Sequence, residues 1–202
     1  MTTIVYLHGF RSSPQSVKAT QFRRFVATLP AALRPRLYVP ELQHRPAQAI
    51  AGVADWIERE VGASGLPALT VVGSSLGGYY ATHLAERYGV RAALINPAVR
   101  PYDDLQPYVG TQQNLYTGEA FEVTAAHFAE LRALAVGRIT RPGRYLLLVE
   151  SGDEVLDYRE AVAFYGGAWQ YVRGGGDHAF QGFEAQIPVI LKFAGVIGQG
   201  AR

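Results

Sequence analysis

Short apolar runs alternate with segments of helical periodicity along most of the chain. In residues 47–61, for example, Ile50, Val53 and Ile57 fall on one face of a helix. Short apolar runs bounded by turn residues are typical of buried strands. Such runs occupy residues 4–7, 37–39, 69–72, 92–95, 145–149 and 169–172. Helices are predicted over residues 14–29, 47–61, 76–88, 123–136 and 158–165, and in the stretch 183–193.

This alternation predicts an α/β fold with a mostly parallel sheet of about six strands and helices on both faces. Right-handed crossovers place the carboxyl ends of all strands at one edge, where ligands bind in such sheets. A length of 202 residues with 49% hydrophobic content favours a single domain over 1–202 with a sizeable core. The start of the first helix is predicted at Ser13 and Pro14, as an N-cap followed by proline.

The third predicted strand ends in a G-x-S-x-G pattern within residues 71–78. Ser75 is the candidate nucleophile, on a sharp turn between strand and helix. Such a turn brings the positions two before and two after the serine close together, and Gly73 and Gly77 fit that crowding. Ser74 has no such flanking glycines. The alternative is an ordinary glycine- and serine-rich loop, and the strand-turn-helix context favours the nucleophile.

Two further polar stretches follow the later strands and complete the chain order serine, aspartate, histidine of an α/β-hydrolase triad. His178 lies beyond the sixth strand and is the candidate base that accepts the serine proton. Asp153 directly follows the fifth strand and is the candidate acid that orients this histidine. Asp157 is the rival acid, although it suits the cap of the following helix. Asp177 adjoins His178, but neighbouring side chains in an extended loop point apart.

The loop after the first strand carries the candidate oxyanion hole. Two backbone N–H groups are needed there, and the fold logic assigns them to Phe10 and Leu76. Gly9 lets this loop approach the substrate closely, and the Phe10 ring is a candidate wall of the acyl pocket. The alternative is that His8 and Gly9 form a simple turn after the strand.

The sequence resembles the YqiA/YcfP family of small α/β-hydrolase-fold esterases over nearly its whole length. The stretches that carry this resemblance are 6–14, 73–82, 96–101, 152–158 and 176–180. The resemblance implies an α/β-hydrolase fold and a Ser-His-Asp hydrolase that acts on acyl esters or thioesters. It implies no particular physiological substrate.

Composition narrows the classes of partner. The formal net charge is +2 and the basic residues are scattered, which is not the pattern of a nucleic-acid-binding surface. The chain has no cysteine, so disulfides and thiolate metal sites are excluded, and no pattern predicts a metal or an organic cofactor. No segment reaches the roughly 20 apolar residues that span a bilayer, and the start lacks a signal-peptide pattern. We therefore expect a cytoplasmic protein with no membrane partner, whose oligomeric state the sequence does not indicate.

Residues 97–142 form the longest stretch without a predicted strand. This stretch is rich in aromatic residues and forms either a small lid or the crossover between the fourth and fifth strands. A lid this small predicts an open site and short acyl chains. The leading hypothesis is therefore a serine esterase that forms an acyl-enzyme on short-chain carboxylic esters. The alternatives are an acyl-CoA thioesterase and a non-catalytic module that binds a small ligand on a hydrolase fold.

Overall fold

The computed structural model describes residues 1–198, so the last four residues of the predicted domain, 199–202, lie outside the described residues. The strands are β1 (Thr3–Leu7), β2 (Arg36–Tyr38), β3 (Leu69–Ser74), β4 (Arg91–Ile95), β5 (Gly110–Gln113), β6 (Ala120–Val123), β7 (Tyr145–Glu150) and β8 (Trp169–Arg173). The α-helices are α1 (Val17–Thr28), α2 (Pro46–Glu60), α3 (Gly62–Gly65), α4 (Leu76–Tyr88), α5 (Pro101–Asp104), α6 (Ala125–Ala133), α7 (Tyr158–Phe164) and α8 (Ile187–Phe193). Short 3-10 turns connect several of these elements.

The main sheet has six strands in the order β2-β1-β3-β4-β7-β8, and every pairing in it is parallel. This confirms the predicted sheet. The chain leaves β1 for β2 on one side and then returns to β3 on the other side, so the strand order reverses between β1 and β3. Loops at the carboxyl ends of these two strands diverge, which opens the crevice where α/β sheets bind ligands.

Helices cover both faces of the sheet, as predicted. Val5 and Leu7 point toward the face covered by α2 and α4, where they join Ile57 and Leu84 in one apolar cluster. Alternate residues of the same strand point the other way, toward α1 and α8, in a second cluster. That cluster contains Ile4, Tyr6, Phe22, Ile187 and Ile190, among others. Burial on both faces explains why the central strands β1, β3, β4 and β7 are nearly continuous apolar runs, whereas the edge strand β8 is exposed.

The first helix begins later than the sequence predicts. Residue Ser13 instead shapes a turn, because its Oγ accepts the Gln15 N–H at 3.0 Å and its carbonyl accepts the Ser16 N–H at 3.0 Å. The helix therefore starts at Val17, with Ser16 as its N-cap and without a side-chain cap bond. The prediction was wrong because a serine followed by proline suits a turn as well as a helix start.

The stretch 97–142 is not free of strands. It contains the two-stranded antiparallel hairpin β5–β6, so the prediction of a strandless segment was wrong. Each of these strands has only four residues and little buried apolar surface, so the pattern that identifies the main strands is absent. Helix α6 is shorter than the predicted 123–136 because Val123 ends β6. Within residues 1–198, no helix is long and apolar enough to cross a membrane.

Candidate active site

Ser75 joins the end of β3 to the start of α4 in a backbone conformation that non-glycine residues rarely adopt, with φ 56° and ψ −122°. The flanking glycines make this turn possible. A Cβ at Gly73 would overlap the Gly77 backbone, and a Cβ at Gly77 would overlap the carbonyl of Leu7. Strand and helix can therefore pack tightly enough to leave the Ser75 hydroxyl at the carboxyl edge of the sheet.

A continuous hydrogen-bonded chain joins Ser75, His178 and Asp153. The Ser75 Oγ lies 3.0 Å from the His178 Nε2, although the two residues are 103 positions apart. The His178 Nδ1 lies 2.8 Å from Asp153 Oδ2 and 3.0 Å from Oδ1. A carboxylate accepts but does not donate, so Nδ1 carries the ring proton and Nε2 is free to accept the serine proton. The structure thus brings the three predicted triad residues together in the predicted order of contact.

The two rival aspartates occupy different environments. The Asp153 side chain is 2% exposed, and its Oδ1 accepts the N–H groups of Val155 and Leu156, each at 2.9 Å. These two bonds aim the carboxylate at the histidine. Asp157 is the N-cap of α7, where its Oδ1 accepts the Arg159 N–H at 3.0 Å. Asp157 therefore has the capping contact that the sequence analysis considered for it.

A buried carboxylate that the sequence analysis missed holds the loop before His178. Glu150 ends β7 with no exposed surface, and it accepts the N–H groups of Asp177 and Gln181 at 2.9 Å each. The Arg173 guanidinium donates to it at 3.0 Å. The backbone passes so close that a Cβ at Gly176 would overlap this carboxylate. The available signal was an acidic residue directly after an apolar strand.

Asn96 ties the same loop to the neighbouring strand. Its backbone is strained at φ 39°, and its side-chain NH₂ donates to the carbonyls of Asp177 and His178 at 3.0 and 3.3 Å. Its side-chain oxygen accepts the Glu150 N–H at 3.0 Å. Three segments that are distant in sequence therefore meet at one amide.

The predicted oxyanion groups flank Ser75. A Cβ at Gly9 would lie 3.2 Å from the Ser75 Cβ, so this glycine brings the β1 loop against the serine. Leu76 is the first residue of α4, and its N–H precedes the first helical bond. Among the bonds of residues 1–198, neither this N–H nor that of Phe10 donates to a protein acceptor. The Phe10 ring packs edge-on against Tyr108, at 5.5 Å between centroids.

His8 anchors the same loop as a neutral imidazole. It is 3% exposed, its Nε2 accepts the Leu42 N–H at 3.3 Å, and its Nδ1 lies 3.1 Å from the Gly9 carbonyl. One ring nitrogen therefore accepts while the other donates, which only the neutral form can do. Burial lowers the pKa of His8 from 6.5 to about 4.

Two clefts meet at Ser75, and His178 borders both. The first, which we call the α1 cleft, has a volume of about 580 Å³ and is lined by Tyr6, Lys18 and other residues. The second, the α5 cleft, has a volume of about 470 Å³. The α5 cleft is lined largely by apolar residues, including Ala98, Pro101, Leu105, Pro107, Tyr108 and Leu156. An ester bound with its carbonyl carbon at Ser75 can place its acyl group in one cleft and its leaving group in the other.

The remaining histidines make structural contacts away from Ser75. The His44 Nδ1 lies 3.1 Å from the His127 Nε2, and the His83 Nδ1 lies 3.0 Å from the Leu134 carbonyl. In the part of the chain that the structure describes, no group of three or more histidine, aspartate or glutamate side chains is arranged to hold a metal ion.

Comparison with known proteins gives both a family and a fold. Residues 3–195 match the family described as "Uncharacterised protein family (UPF0227)". A protein of Agrobacterium vitis S4 superposes with a TM-score of 0.73 at 18% identity, over 96% of this chain and 87% of the other. Mouse alpha/beta hydrolase domain-containing protein 10 gives 0.68 at 18%, over 94% and 86%. Est1E of Butyrivibrio proteoclasticus, in its complex with ferulic acid, gives 0.68 at 13%, over 96% and 88%. These likenesses show the α/β-hydrolase fold.

Proposed function

The chain belongs to the UPF0227 (YqiA/YcfP) family, and from this premise we propose that it is a serine hydrolase that cleaves carboxylic esters. Ser75 is the nucleophile, His178 the general base and Asp153 the acid that orients it. The observation that carries the proposal is the chain of contacts of 3.0 Å from Ser75 to His178 and 2.8 Å from His178 to Asp153. A module that only binds a ligand has no need for this alignment.

In the first half-reaction, the Ser75 hydroxyl attacks the ester carbonyl carbon while His178 Nε2 takes its proton. The Asp153 carboxylate stabilises the imidazolium that forms. The carbonyl oxygen becomes an oxyanion, and the N–H groups of Phe10 and Leu76 donate to it. His178 then returns the proton to the leaving oxygen, the carbon–oxygen bond breaks, and the acyl group remains on Ser75.

The second half-reaction repeats these steps with water as the nucleophile. His178 takes a proton from water as the water oxygen adds to the acyl carbon. The bond from the acyl carbon to Ser75 Oγ then breaks, His178 returns the proton to this oxygen, and the carboxylic acid leaves. The apolar α5 cleft suits the acyl group, since it borders Leu76 and the Phe10 ring. We propose short acyl chains and small-molecule substrates. A matched panel of oxygen esters and acyl-CoA thioesters decides between the esterase and the thioesterase.

The test of the nucleophile uses two adjacent serines. We expect Ser75→Ala to fold with an unchanged circular dichroism spectrum and to lose nearly all hydrolysis of p-nitrophenyl butyrate. Loss of the triad serine lowers turnover by about 10⁶ in a serine protease. Ser74→Ala, which removes the neighbouring hydroxyl at the end of β3, is the matched control and keeps most activity.

Covalent labelling separates the enzyme from a binding module. A fluorophosphonate probe reacts with activated serines, so we expect one label on the unaltered protein and none on Ser75→Ala. Substantial hydrolysis by Ser75→Ala, or an unlabelled but folded unaltered protein, contradicts the proposal.

A further inference from the structure

The α1 cleft ends at the N-terminus of a 12-residue helix that lacks the usual capping groups. Ser16 makes no side-chain cap bond, and the first turn of α1 holds no acidic residue. The first-turn N–H groups, beginning at Val17, therefore point outward without a carboxylate partner, where an anion binds well. In place of an acid, the second residue of the helix is Lys18. A cation there opposes the helix dipole unless an anion lies between them.

Lys18 is held beside the catalytic histidine. Its ammonium donates to the carbonyl of Ala179 at 2.9 Å, one residue after His178. Burial lowers the pKa of Lys18 to about 8, so the group is still mostly charged at neutral pH. The charged residues that line the α1 cleft are Arg11, Lys18 and Glu154. Glu154 already accepts the His178 N–H at 3.0 Å, so two cations and one anion line the cleft. The carboxylates of Asp177, Asp153 and Glu150 lie near enough to Lys18 to raise its pKa against the effect of burial.

A buried hydroxyl gives a second, independent indication of a ligand in this cleft. Tyr6 has no exposed surface and lines the same cleft, and its ring lies 5.5 Å from that of Phe22 in α1. Within residues 1–198 its hydroxyl has no hydrogen-bond partner. Burying a hydroxyl without a partner is costly, and an acceptor oxygen of a ligand removes that cost. Burial also raises the pKa of Tyr6, which keeps the hydroxyl protonated as a donor.

The α5 cleft suits the acyl group of the ester, and the α1 cleft suits its leaving group. Asp104 and Glu154 face one cation, Arg11, in the otherwise apolar α5 cleft. That balance disfavours an anionic acyl group there. In the α1 cleft the wall contains Ala179 and Phe180, which directly follow His178. The leaving group takes its proton from His178, so it leaves along this wall.

We propose that the α1 cleft binds a carboxylate or phosphate group carried by the leaving group of the ester. The first-turn N–H groups of α1, the Lys18 ammonium and the Tyr6 hydroxyl are its donors. This inference rests on the proposed function, because it takes Ser75 and His178 as the reacting pair. It adds a substrate class, namely esters of anionic alcohols, phenols or thiols.

The test compares butyrate esters that share an acyl group and differ in the leaving group. The phenol carries a para carboxylate, a para phosphate or a neutral para methyl ester. We expect Lys18→Gln to lower the ratio of kcat/KM for the anionic over the neutral ester at least fivefold, and Tyr6→Phe to lower it as well. Lys192→Gln, the other lysine of the chain and exposed on α8, is the matched control and leaves the ratio unchanged. The anion whose ratio falls more is the preferred ligand.

A binding measurement in Ser75→Ala keeps the test independent of turnover. Inorganic phosphate, added at constant ionic strength, raises the melting temperature of this variant, and the rise shrinks when Lys18→Gln or Tyr6→Phe is added. Ratios that are equal in the unaltered protein and Lys18→Gln, with no phosphate effect on melting, overturn the inference. If the neutral ester is then still hydrolysed through Ser75, the proposed function stands alone. If no ester is hydrolysed yet phosphate stabilises the protein through Lys18, the anion site stands and the esterase proposal fails.

Discussion

Backbone N–H groups assign different tasks to two aspartates that are four positions apart. Asp153 receives two N–H groups on one oxygen and contacts His178, whereas Asp157 receives the Arg159 N–H at the start of α7. The capping contact needs only an acceptor oxygen, which asparagine also offers. The contact with His178 needs a carboxylate, because an amide can donate to Nδ1 and so favour the wrong tautomer.

The matched pair Asp153→Asn and Asp157→Asn tests this difference. We expect Asp153→Asn to lower kcat on p-nitrophenyl butyrate by orders of magnitude, since the equivalent change in a serine protease lowers kcat by about 10⁴. Asp157→Asn keeps kcat within about twofold and changes stability by only a few tenths of a kcal/mol. Steady-state kinetics and urea unfolding measure both effects. The reverse pattern would identify Asp157 as the acid.

His8 predicts a defined loss of stability at acid pH. Its folded pKa of about 4 lies below the unfolded value of 6.5, so the unfolded chain takes up a proton between these values while the folded chain does not. The stabilisation is complete above pH 6.5 and decreases as the pH falls toward 4. By pH 4.5 we expect a loss of about 2 to 3 kcal/mol from this group.

The measurement compares urea unfolding at pH 7 and pH 4.5 for the unaltered protein and for His8→Gln, which cannot take up this proton. The difference between the two pH-dependences isolates His8 from all other titrating groups. Equal losses in both proteins would show that His8 titrates normally.

The candidate triad could be predicted from sequence, but its supports could not. Ser75 and His178 lie among glycines that follow strand ends, so local sequence marks them. Glu150 and Asn96 act through hydrogen bonds between segments, including a bond to each other across 54 positions. No local pattern encodes such a contact, because the sheet order must be known before the two residues can be placed side by side.

At the scale of elements, the hairpin β5–β6 is hydrogen-bonded to the loop that carries the candidate oxyanion N–H of Phe10. The Leu115 N–H donates to the Arg11 carbonyl at 2.9 Å, and the Arg11 Nε donates to the Gln113 carbonyl at 3.1 Å. The Asn114 side chain adds a bond of 2.9 Å to the Ser12 carbonyl. Arg11 itself has a positive φ of 55°, a conformation that these contacts hold in place.

Asn114→Ala tests whether the hairpin positions this loop. We expect kcat for a short ester to fall about three- to tenfold with little change in KM, because a looser Phe10 N–H weakens only the oxyanion contact made in the transition state. Thr111→Ala is the control, since it removes the 2.9 Å bond to Glu122 within the hairpin and leaves the contacts to the β1 loop intact. Equal kcat values for the two variants would show that the hairpin does not position the loop that carries the Phe10 N–H.

Strand prediction succeeded in the main sheet, both for the fully buried central strands and for β8, which is exposed but rich in aromatic and β-branched residues. It failed in the hairpin. All six strands of the main sheet match the predicted apolar runs to within two residues at each end. The hairpin strands alternate between exposed and half-buried positions, and Val123 is the one buried residue in the two strands. Hydrophobicity therefore does not reveal them. The start of α1 was misplaced because local bonds of Ser13 form a turn.

At the scale of the whole molecule, the size and openness of the α5 cleft predict the acyl range. Exposed apolar side chains border it, with Leu115 at 69% and Val155 at 53% exposure. Each methylene that a cleft buries contributes about 0.8 kcal/mol, or roughly fourfold in kcat/KM. We expect kcat/KM for p-nitrophenyl esters to be highest for short acyl chains and to fall for long ones, because an open cleft stops burying further methylenes early. A maximum at ten or more carbons would show that the hairpin closes over the chain as a lid.

Strand order is the global property that the sequence did not reveal. Alternation of strands and helices predicts parallel pairing and a ligand edge, but the reversal between β1 and β3 is visible only in the assembled sheet. The single domain over 1–202 and the cytoplasmic location stay predictions.

The separation of 103 positions between Ser75 and His178 also has a consequence in time. Strands β1, β3 and β4 can pair as soon as the first half of the chain collapses, whereas the His178 loop is fixed only after β7 and β8 have joined the sheet. Contacts of long sequence separation form late, because closing a long loop costs entropy before it brings any gain. During refolding from urea, we therefore expect helical signal to return before esterase activity does. The return of activity then reports the last step of folding.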